Sequence, residues 1–224
     1  MSIPIVEIFN SIEGEGKRVG SLCTFVRVAG CNLRCSYCDT TYSFDVTQAV
    51  EMSVQDIMET IDKFGCHRVT LTGGEPLLNE EVIESLIPAL LRNAKEVNIE
   101  TNGSILLTPI LHKIIENDGD DKIFFTMDWK SLSSGMSHKM LDENIDTLCF
   151  DDVLKFVVAD KDDLEQMKNV IESHEIHAEI FVSPVFGKIQ MRDIVEFLQQ
   201  NNLQNVRLQC QLHKIVWDPN ERGV

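Results

Sequence analysis

The chain has 224 residues, of which 43% are hydrophobic, and we expect residues 1–224 to form a single domain with an ordinary hydrophobic core. Its formal net charge of -16 disfavours binding to nucleic-acid phosphates, so we expect a small-molecule substrate and no nucleic-acid partner. No run approaches the roughly 18 apolar residues of a membrane span, and no basic region precedes an apolar stretch at the start, which predicts a cytoplasmic protein without a membrane partner.

Six β-rich runs alternate with helical patterns along the chain. The predicted strands are residues 22–28, 68–72, 97–100, 122–126, 153–158 and 178–182, and helix start signals between them are Ser53, Asn79, Thr108-Pro109 and Asp160. Repeated strand–helix units predict an α/β fold with a parallel sheet. Because six units are fewer than the eight that close a TIM barrel, we expect a partial (β/α)6 TIM-like barrel.

Polar motifs follow five of the predicted strands at the point where each strand ends. They are residues 30–40, 73–76, 100–103, 128–130 and 183–184. Since α/β barrels build their active sites from the loops at the carboxyl ends of their strands, we expect these motifs to line one site.

Cys31, Cys35 and Cys38 form a Cys-x3-Cys-x2-Cys run. A structural zinc site normally has four protein ligands, whereas three thiolates on a 4Fe-4S cluster leave one iron open to a substrate or cofactor. We therefore favour a 4Fe-4S cluster over zinc or a disulfide. Seven cysteines in total, an odd number, fit a reducing compartment. The other four are expected to be buried packing residues: Cys23, Cys66, Cys149 and Cys210.

The triplet, followed at once by Asp39-Thr40, resembles the cluster loop of radical S-adenosylmethionine (SAM) enzymes, whose open iron binds the amino and carboxylate groups of SAM. Gly-Gly-Glu-Pro at residues 73–76 resembles the stretch that holds the SAM amino group in these enzymes. Its glycines would let a ligand approach the backbone, and Glu75 would offer a carboxylate to a cationic group. The resemblance further implies that Tyr37 packs on the adenine ring and that Asp39 binds a polar edge of the cofactor.

More specifically, the chain resembles the 7-carboxy-7-deazaguanine synthase family. The similar segments are residues 9–16, 25–31, 38–42, 73–76 and 130–135, with a weaker likeness at 213–214 and 217–219. The resemblance implies a lyase of the radical SAM type that converts 6-carboxy-5,6,7,8-tetrahydropterin to 7-carboxy-7-deazaguanine with loss of ammonia, in queuosine and 7-deazapurine synthesis. It also implies a 4Fe-4S cluster, SAM and Mg2+ as cofactors and a homodimer, and we expect a flavodoxin- or ferredoxin-like electron donor.

The same resemblance assigns roles to individual residues. Substrate binding falls to Ile12, Glu13, Gly14, Arg27 and Thr72, SAM binding to Tyr37, Asp39, Gly74, Asp128 and Lys130, and Mg2+ binding to Thr40. Family members often carry Gln in place of Glu13, whose carboxylate accepts hydrogen bonds but does not donate them. Arg27 would pair with the substrate carboxylate through its planar guanidinium, and the Thr40 hydroxyl is a hard oxygen ligand of the kind that Mg2+ accepts. No general base is assigned.

Competing interpretations stay open at this point. Arg27 and the pair Asp128 and Lys130 would be ordinary surface charges, and Thr72 an ordinary strand residue. In a zinc-binding structural or interaction module, the cysteines would bind a zinc ion. A glycyl-radical-enzyme activase has the same cysteine spacing, but its substrate is a protein. The segment 12–16, together with Arg27 and Thr40, favours a carboxylated small molecule over that protein substrate.

Histidines carry little weight in this interpretation. No role is assigned to His67, His112, His138, His174 or His177. His213-Lys214 and residues 217–219 resemble the closing segment of the family, which in some members brings a carboxyl-terminal proline to the substrate. This chain continues five residues beyond Pro219.

Overall fold

The computed structural model describes residues 2–118, 123–219 and 221–224. Nine strands form one sheet within these ranges. They are β1 (Ile3–Ile12), β2 (Leu22–Val28), β3 (Val50–Met52), β4 (Arg68–Gly73), β5 (Glu96–Thr101), β6 (Ile123–Trp129), β7 (Val153–Val158), β8 (Glu179–Pro184) and β9 (Val206–Leu208).

The sheet has the order β3-β1-β2-β4-β5-β6-β7-β8-β9 and is open. Strands β2 and β4 to β9 run parallel, whereas β1 pairs antiparallel with both β2 and β3. The six predicted strands and the partial barrel are confirmed, although Lys122, the first residue of the fourth predicted strand, lies outside the described residues. The sequence analysis missed β1, β3 and β9. Two of these have only three residues, too few to show a pattern.

Seven α-helices accompany the described strands. They are α1 (Val54–Phe64), α2 (Ile87–Arg92), α3 (Leu107–Asp118), α4 (Glu143–Thr147), α5 (Lys161–Ser173), α6 (Met191–Gln200) and α7 (His213–Val216). A π-helical segment, Val82–Leu86, leads directly into α2. Short 3-10 helices span Thr41–Phe44, Val46–Gln48, Pro76–Leu78, Leu132–Ser134 and Ser137–Lys139.

Predicted capping residues explain where two of the helices begin. The Ser53 hydroxyl accepts a hydrogen bond from the backbone of Asp56, whose side chain accepts one in return from the backbone N–H of Ser53, so that α1 starts in a capping box. The side chain of Asp160 accepts from the N–H of Asp163 at the start of α5. Helices α4, α6 and α7 carry no start signal among those identified from the sequence.

One continuous core packs the helices on the sheet, with buried aliphatic and aromatic side chains from β1 through β9. All six residues of β7 are buried, as is typical of a parallel strand covered on both faces. Lys155 is the one charged residue in this apolar strand. A buried lysine requires a charged partner, so its position marks a functional or structural network.

Cysteine burial differs in part from the prediction. Cys23 is buried, whereas Cys149 is exposed in the loop between α4 and β7, and Cys66 and Cys210 are partly exposed. The prediction is wrong for Cys149 because loop residues lie at the surface whatever their hydrophobicity. No helix in the described ranges combines the length and hydrophobicity that crossing a bilayer requires.

Candidate active site

A cavity of about 1050 Å³ lies at the carboxyl ends of the parallel strands. It is lined by the loops that follow β2, β4, β5, β6, β7 and β8, by the end of β1 and by the segment after β9. Apart from Glu75, every residue to which the sequence analysis gave a cluster, cofactor, Mg2+ or substrate role lines this one cavity. The expected convergence of the loops is therefore observed, while the individual roles stay predictions.

The three cysteines lie on the loop that leaves β2. Their thiols are free and partly buried, and the Cys31 sulfur accepts from the N–H of Leu33 at 3.4 Å and from the amide of Asn102 at 3.8 Å. Burial raises the pKa of the Cys31 and Cys35 thiols, so a metal must displace their protons on binding.

The cysteine side chains are not arranged to bind a single metal ion. In the described part of the chain, no three His, Cys, Asp or Glu side chains are gathered closely enough to hold one. A 4Fe-4S cluster binds each cysteine through a different iron, so its thiolates stand farther apart than the ligands of one ion. Three separate thiols that face a common cavity suit a cluster better than zinc.

Gly73 and Gly74 are required because the loop after β4 packs directly on the end of β2. A Cβ at Gly73 would lie 2.1 Å from the Val28 carbonyl oxygen, and one at Gly74 would lie 1.9 Å from the Gly30 carbonyl oxygen. The N–H groups of Gly74 and Glu75 donate to these same carbonyls at 3.0 and 2.8 Å. The close approach seen at these glycines is thus to the backbone at the end of β2 and at the start of the cluster loop, and a ligand contact there stays a prediction.

Glu75 does not have the role that the sequence suggested. Its carboxylate is buried outside the cavity lining and accepts from the N–H of Asn102 at 2.7 Å, the hydroxyl of Thr101 at 2.9 Å and the N–H of Leu77 at 3.1 Å. Burial raises its pKa to about 7 despite these donors. The prediction that Glu75 receives a cationic ligand group is wrong, because its oxygens hold the loop after β5 against the loop after β4.

A buried network of alternating charges forms one wall of the cavity. The Lys155 Nζ lies 3.2 Å from Glu15 and 3.6 Å from Asp128, and the Lys130 Nζ lies 2.9 Å from Asp128. Burial opposes ionisation, but Lys130 and Lys155 hold the pKa of Asp128 below its ordinary value. The alternative of a surface ion pair for Asp128 and Lys130 is therefore wrong.

Asp128 keeps one oxygen available within this network. Its Oδ1 is buried and has no hydrogen-bond partner among the described residues, whereas Oδ2 faces both lysines. Buried polar atoms are nearly always hydrogen-bonded, so this orphan acceptor in a cavity wall points to a donor on a bound ligand. A cofactor hydroxyl would satisfy it.

Two further carboxyl groups, Glu13 and Glu100, line the same cavity beside threonine hydroxyls. The Glu13 carboxyl, only 2% exposed, accepts from the Thr70 hydroxyl and, at 3.5 Å, from the Asn98 amide. Burial and the charge of Glu100 raise its pKa to about 7. The Thr72 hydroxyl donates to Glu100 at 2.6 Å, so Thr72 orients a carboxylate rather than standing free.

Arg27 lies at another side of the cavity, with its side chain only 14% exposed, so the surface-arginine alternative is wrong. Its Nε donates to Glu7 at 2.7 Å, and the Tyr42 hydroxyl donates to the same Glu7 oxygen at 3.0 Å. The guanidinium carbons of Arg27 and Arg222 lie 5.9 and 3.8 Å from the centre of the Tyr42 ring. Arg27 and Arg222 thus form a cationic corner of the cavity beside the Tyr42 ring.

The end of β1 meets the segment after β9 at the cavity. A Cβ at Gly14 would lie 2.0 Å from the His213 Nδ1, and the Gly14 carbonyl accepts from the N–H of Leu212 at 3.0 Å. Burial lowers the pKa of His213, which keeps its ring neutral at pH 7. Ile12 lines the cavity two residues earlier.

The remaining predicted residues are on the cluster loop. Asp39 pairs with Lys214 at 2.8 Å, so its carboxylate already has a cationic partner. The Tyr37 hydroxyl donates to the Val157 carbonyl at 3.3 Å, which leaves the ring against the cavity. The Thr40 hydroxyl lies 3.6 Å from the Cys38 sulfur.

Comparison with known proteins gives a consistent result. The radical SAM superfamily profile matches residues 25–200. Curated relatives named 7-carboxy-7-deazaguanine synthase include that of Clostridium acetobutylicum, 42% identical over 100% of both chains. That of Methanospirillum hungatei is 38% identical over 96% of this chain and 86% of the relative, and that of Chlorobaculum tepidum is 36% identical over 98% and 96%. The chain belongs to the 7-carboxy-7-deazaguanine synthase family.

A solved structure with low sequence identity to this chain has the same fold. The crystal structure of QueE from Escherichia coli superposes with a TM-score of 0.73 over 94% of both chains at 21% identity. Membership of the radical SAM superfamily implies a 4Fe-4S cluster and SAM, and the three free thiols around one cavity fit that cluster.

The sequence analysis gave no role to several residues that line this cavity. They are Glu15, Glu100, Lys155, His213 and Arg222. A lysine inside an apolar strand was a usable signal for Lys155. Glu100 is the first residue of the polar motif 100–103, at the end of β5. Arg222 gave no local signal, since its place depends on how the last residues fold back to Tyr42.

Proposed function

We propose that this protein converts 6-carboxy-5,6,7,8-tetrahydropterin to 7-carboxy-7-deazaguanine with release of ammonia, within queuosine and 7-deazapurine synthesis. The observation that carries the proposal is one cavity that holds both three free cysteines and a guanidinium-rich corner at Arg27. The former suits a cluster and the latter a carboxylate. Full-length relatives at up to 42% identity, named for this activity, support it.

In this proposal the cofactor side of the cavity is formed by Cys31, Cys35 and Cys38 with the loops around them. When bound, the reduced cluster and SAM supply one-electron chemistry that activates a carbon–hydrogen bond of the substrate. Around SAM we place Tyr37, Asp39, Gly74, Asp128 and Lys130. The free Oδ1 of Asp128 would accept from a ribose hydroxyl, while Lys130 would stay charged beside the methionyl carboxylate.

The substrate side is formed by Ile12, Glu13, Gly14, Arg27 and Thr72. Arg27 would bind the carboxylate of the pterin, and Glu13 would face its nitrogen-rich edge. With a pKa of about 7, Glu13 is partly protonated at neutral pH and then both donates and accepts, as the Gln of many family members does. Thr72 would act by orienting Glu100.

Finer properties follow from family membership. We propose Mg2+ at Thr40, a homodimer of single-domain chains, and a flavodoxin- or ferredoxin-like reductant. One hydroxyl ligand is few for Mg2+, so substrate oxygens and water would complete its octahedron. Free thiols are kept in a reducing compartment, which supports the cytoplasm as its location. The activase alternative is not favoured by the names of the relatives.

Anaerobic reconstitution with iron and sulfide, followed by reductant, SAM, Mg2+ and the carboxylated tetrahydropterin, tests the function. We expect absorbance near about 400 nm and formation of the deazaguanine acid, detected by mass spectrometry. Cys31→Ala should abolish both because the cluster loses a ligand.

Cys149→Ala is the matched control, since Cys149 is exposed and does not line the cavity. It should leave both the absorbance and the product unchanged. A wild-type preparation that holds the cluster and cleaves SAM without forming the deazaguanine acid would refute the substrate assignment.

A further inference from the structure

The segment after β9 forms one wall of the cavity through contacts with two parts of the site, residues 14–15 and the cluster loop. The N–H of Leu212 donates to the Gly14 carbonyl at 3.0 Å, and the Gln211 amide donates to Glu15 at 3.4 Å. Lys214 pairs with Asp39 on the cluster loop at 2.8 Å. These contacts hold the segment beside both the substrate side and the cluster side.

Beyond Pro219, the chain places Arg222 at the same cavity. Its guanidinium carbon lies 3.8 Å from the centre of the Tyr42 ring, a distance at which a cation is attracted to an aromatic face. The chain neighbours Glu221 and Gly223 also line the cavity, so Arg222 is not an isolated contact. Tyr42 in turn donates to Glu7, which fixes the position of the ring.

Arg222 differs from most of the other cavity cations in its partners. Lys130, Lys155, Lys214 and Arg27 each lie within ion-pair distance of a carboxylate. Across the described ranges, Arg222 has no carboxylate within 4.0 Å. Its aromatic contact positions the charge without neutralising it.

The guanidinium donors around Tyr42 favour an anionic ligand. Two guanidinium groups, of Arg27 and Arg222, face one tyrosine ring, and Glu7 supplies the one carboxylate paired with them. Glu7 accepts from the Nε of Arg27, so Glu7 does not occupy the two terminal NH2 groups of that guanidinium. The remaining N–H groups of the two guanidiniums can therefore donate to an anionic ligand at this corner.

We infer that Arg222 is a specificity-determining residue that binds the carboxylate of the substrate together with Arg27. The inference rests on the proposed function in that it takes a carboxylated pterin as the ligand. Two guanidinium groups can each donate to one carboxylate oxygen, which discriminates against a neutral substituent at the same ring position.

Binding rather than turnover provides the test. Reconstituted enzyme with SAM is titrated with fluorescent 6-carboxypterin and, separately, with 6-hydroxymethylpterin, which has the same ring without the charge. For Arg222→Gln we expect about a tenfold weaker affinity for the carboxylated ligand, the size of one charge-assisted hydrogen bond, and little change for the hydroxymethyl ligand. Arg222→Lys should recover part of the affinity because it keeps the charge but not the planar fork.

Arg192→Gln serves as the control because it removes the same charge from an exposed position on α6 that does not line the cavity. It should match the wild type with both ligands. Equal affinity of Arg222→Gln and wild type for 6-carboxypterin would overturn the inference. So would an equal loss for both ligands, which would assign Arg222 to packing of the last residues.

The two proposals fail in different ways. Wild-type enzyme that binds the carboxylated ligand selectively but forms no deazaguanine acid contradicts the proposed function while the Arg222 comparison still decides the inference. Wild-type enzyme with no preference between the two ligands contradicts the inference directly, because a specificity residue must produce a preference.

Discussion

Glu13 is an acid buried beside a second acid, and its neighbours give it a distinctive titration. Burial first, and the Glu100 charge second, raise its pKa from 4.5 to about 7. Between these two values the folded protein binds a proton that the unfolded chain has lost. The stabilising contribution of this proton is complete below about pH 4.5 and is lost as the pH rises through about 7.

Glu13→Gln should therefore stabilise the protein in a pH-dependent manner. The amide retains an acceptor for Thr70 but carries no charge, so we expect the free energy of unfolding to rise by up to about 3 kcal/mol at pH 8 and much less at pH 5. Chemical denaturation at both pH values measures this difference. Glu165→Gln, at an exposed position of α5, is the control and should leave the free energy of unfolding nearly unchanged. An equal gain at both pH values would contradict the assigned titration.

At the level of single residues, the sequence identified most of the site but few of its contacts. Arg27, Glu13 and the cysteines all line the cavity because short motifs at strand ends place them there. What Glu75 binds was not predictable, since its partners Thr101 and Asn102 come from the next strand and its loop. A motif predicts the position of a carboxylate better than it predicts the donors that reach it.

Among the structural elements, the end of β2 with its loop and the loop after β4 are joined by backbone contacts that exclude side chains. Gly74 sits at the closest of these contacts, where a Cβ would lie 1.9 Å from the Gly30 carbonyl oxygen. Backbone cannot move aside as the end of a flexible side chain can. A substitution there must displace the cluster loop itself.

Gly74→Ala should accordingly impair cluster binding as well as stability. We expect a loss of at least about 2 kcal/mol in unfolding free energy and a several-fold lower absorbance near about 400 nm after reconstitution. Gly65→Ala is the matched control: Gly65 has a φ of 68° but open space around its Cβ, so it should cost about 1 kcal/mol without loss of the cluster. Normal cluster content in Gly74→Ala would show that the loop tolerates the displacement.

The elements themselves were predictable to the extent that their patterns are local. The apolar run of β7 and the capping residues Ser53 and Asp160 are visible within a few residues of sequence. The sequence analysis missed strand β1 because its second half, from Phe9, carries site residues as well as strand periodicity. The antiparallel pairing of β1 with both β2 and β3 is decided by long-range contacts that no local pattern contains.

On the scale of the whole molecule, charges are distributed unevenly in a way that composition does not reveal. The net charge is -16, yet Arg27, Lys130, Lys155, Lys214 and Arg222 all line one cavity. Acidic side chains such as Glu13, Glu15 and Asp128 line it as well, so the cavity gathers charges of both signs while the acidic surface repels polyanions. Only the fold, which brings residues from both ends of the chain together, produces this arrangement.

The same long-range contacts determine how the chain unfolds. Glu15 near the amino terminus contacts Lys155 on β7, and its other oxygen accepts from Ser183 at 2.7 Å. The N–H of Gly16 donates to Gln209 at 2.8 Å. One sheet and one core connect these parts. A described strand or helix that contributes to this core therefore cannot lose its contacts without exposing side chains against which the others pack.

We expect the cluster-free protein, kept reduced, to unfold in a single cooperative transition. Calorimetry should give equal calorimetric and van't Hoff enthalpies, and far-ultraviolet and tryptophan signals should change at the same temperature. Lys155→Met should lower that temperature without splitting the transition, because it leaves Glu15 without its cationic partner and Asp128 with Lys130 alone. Two separable transitions in the wild type would contradict the single domain, since a second domain would unfold on its own core.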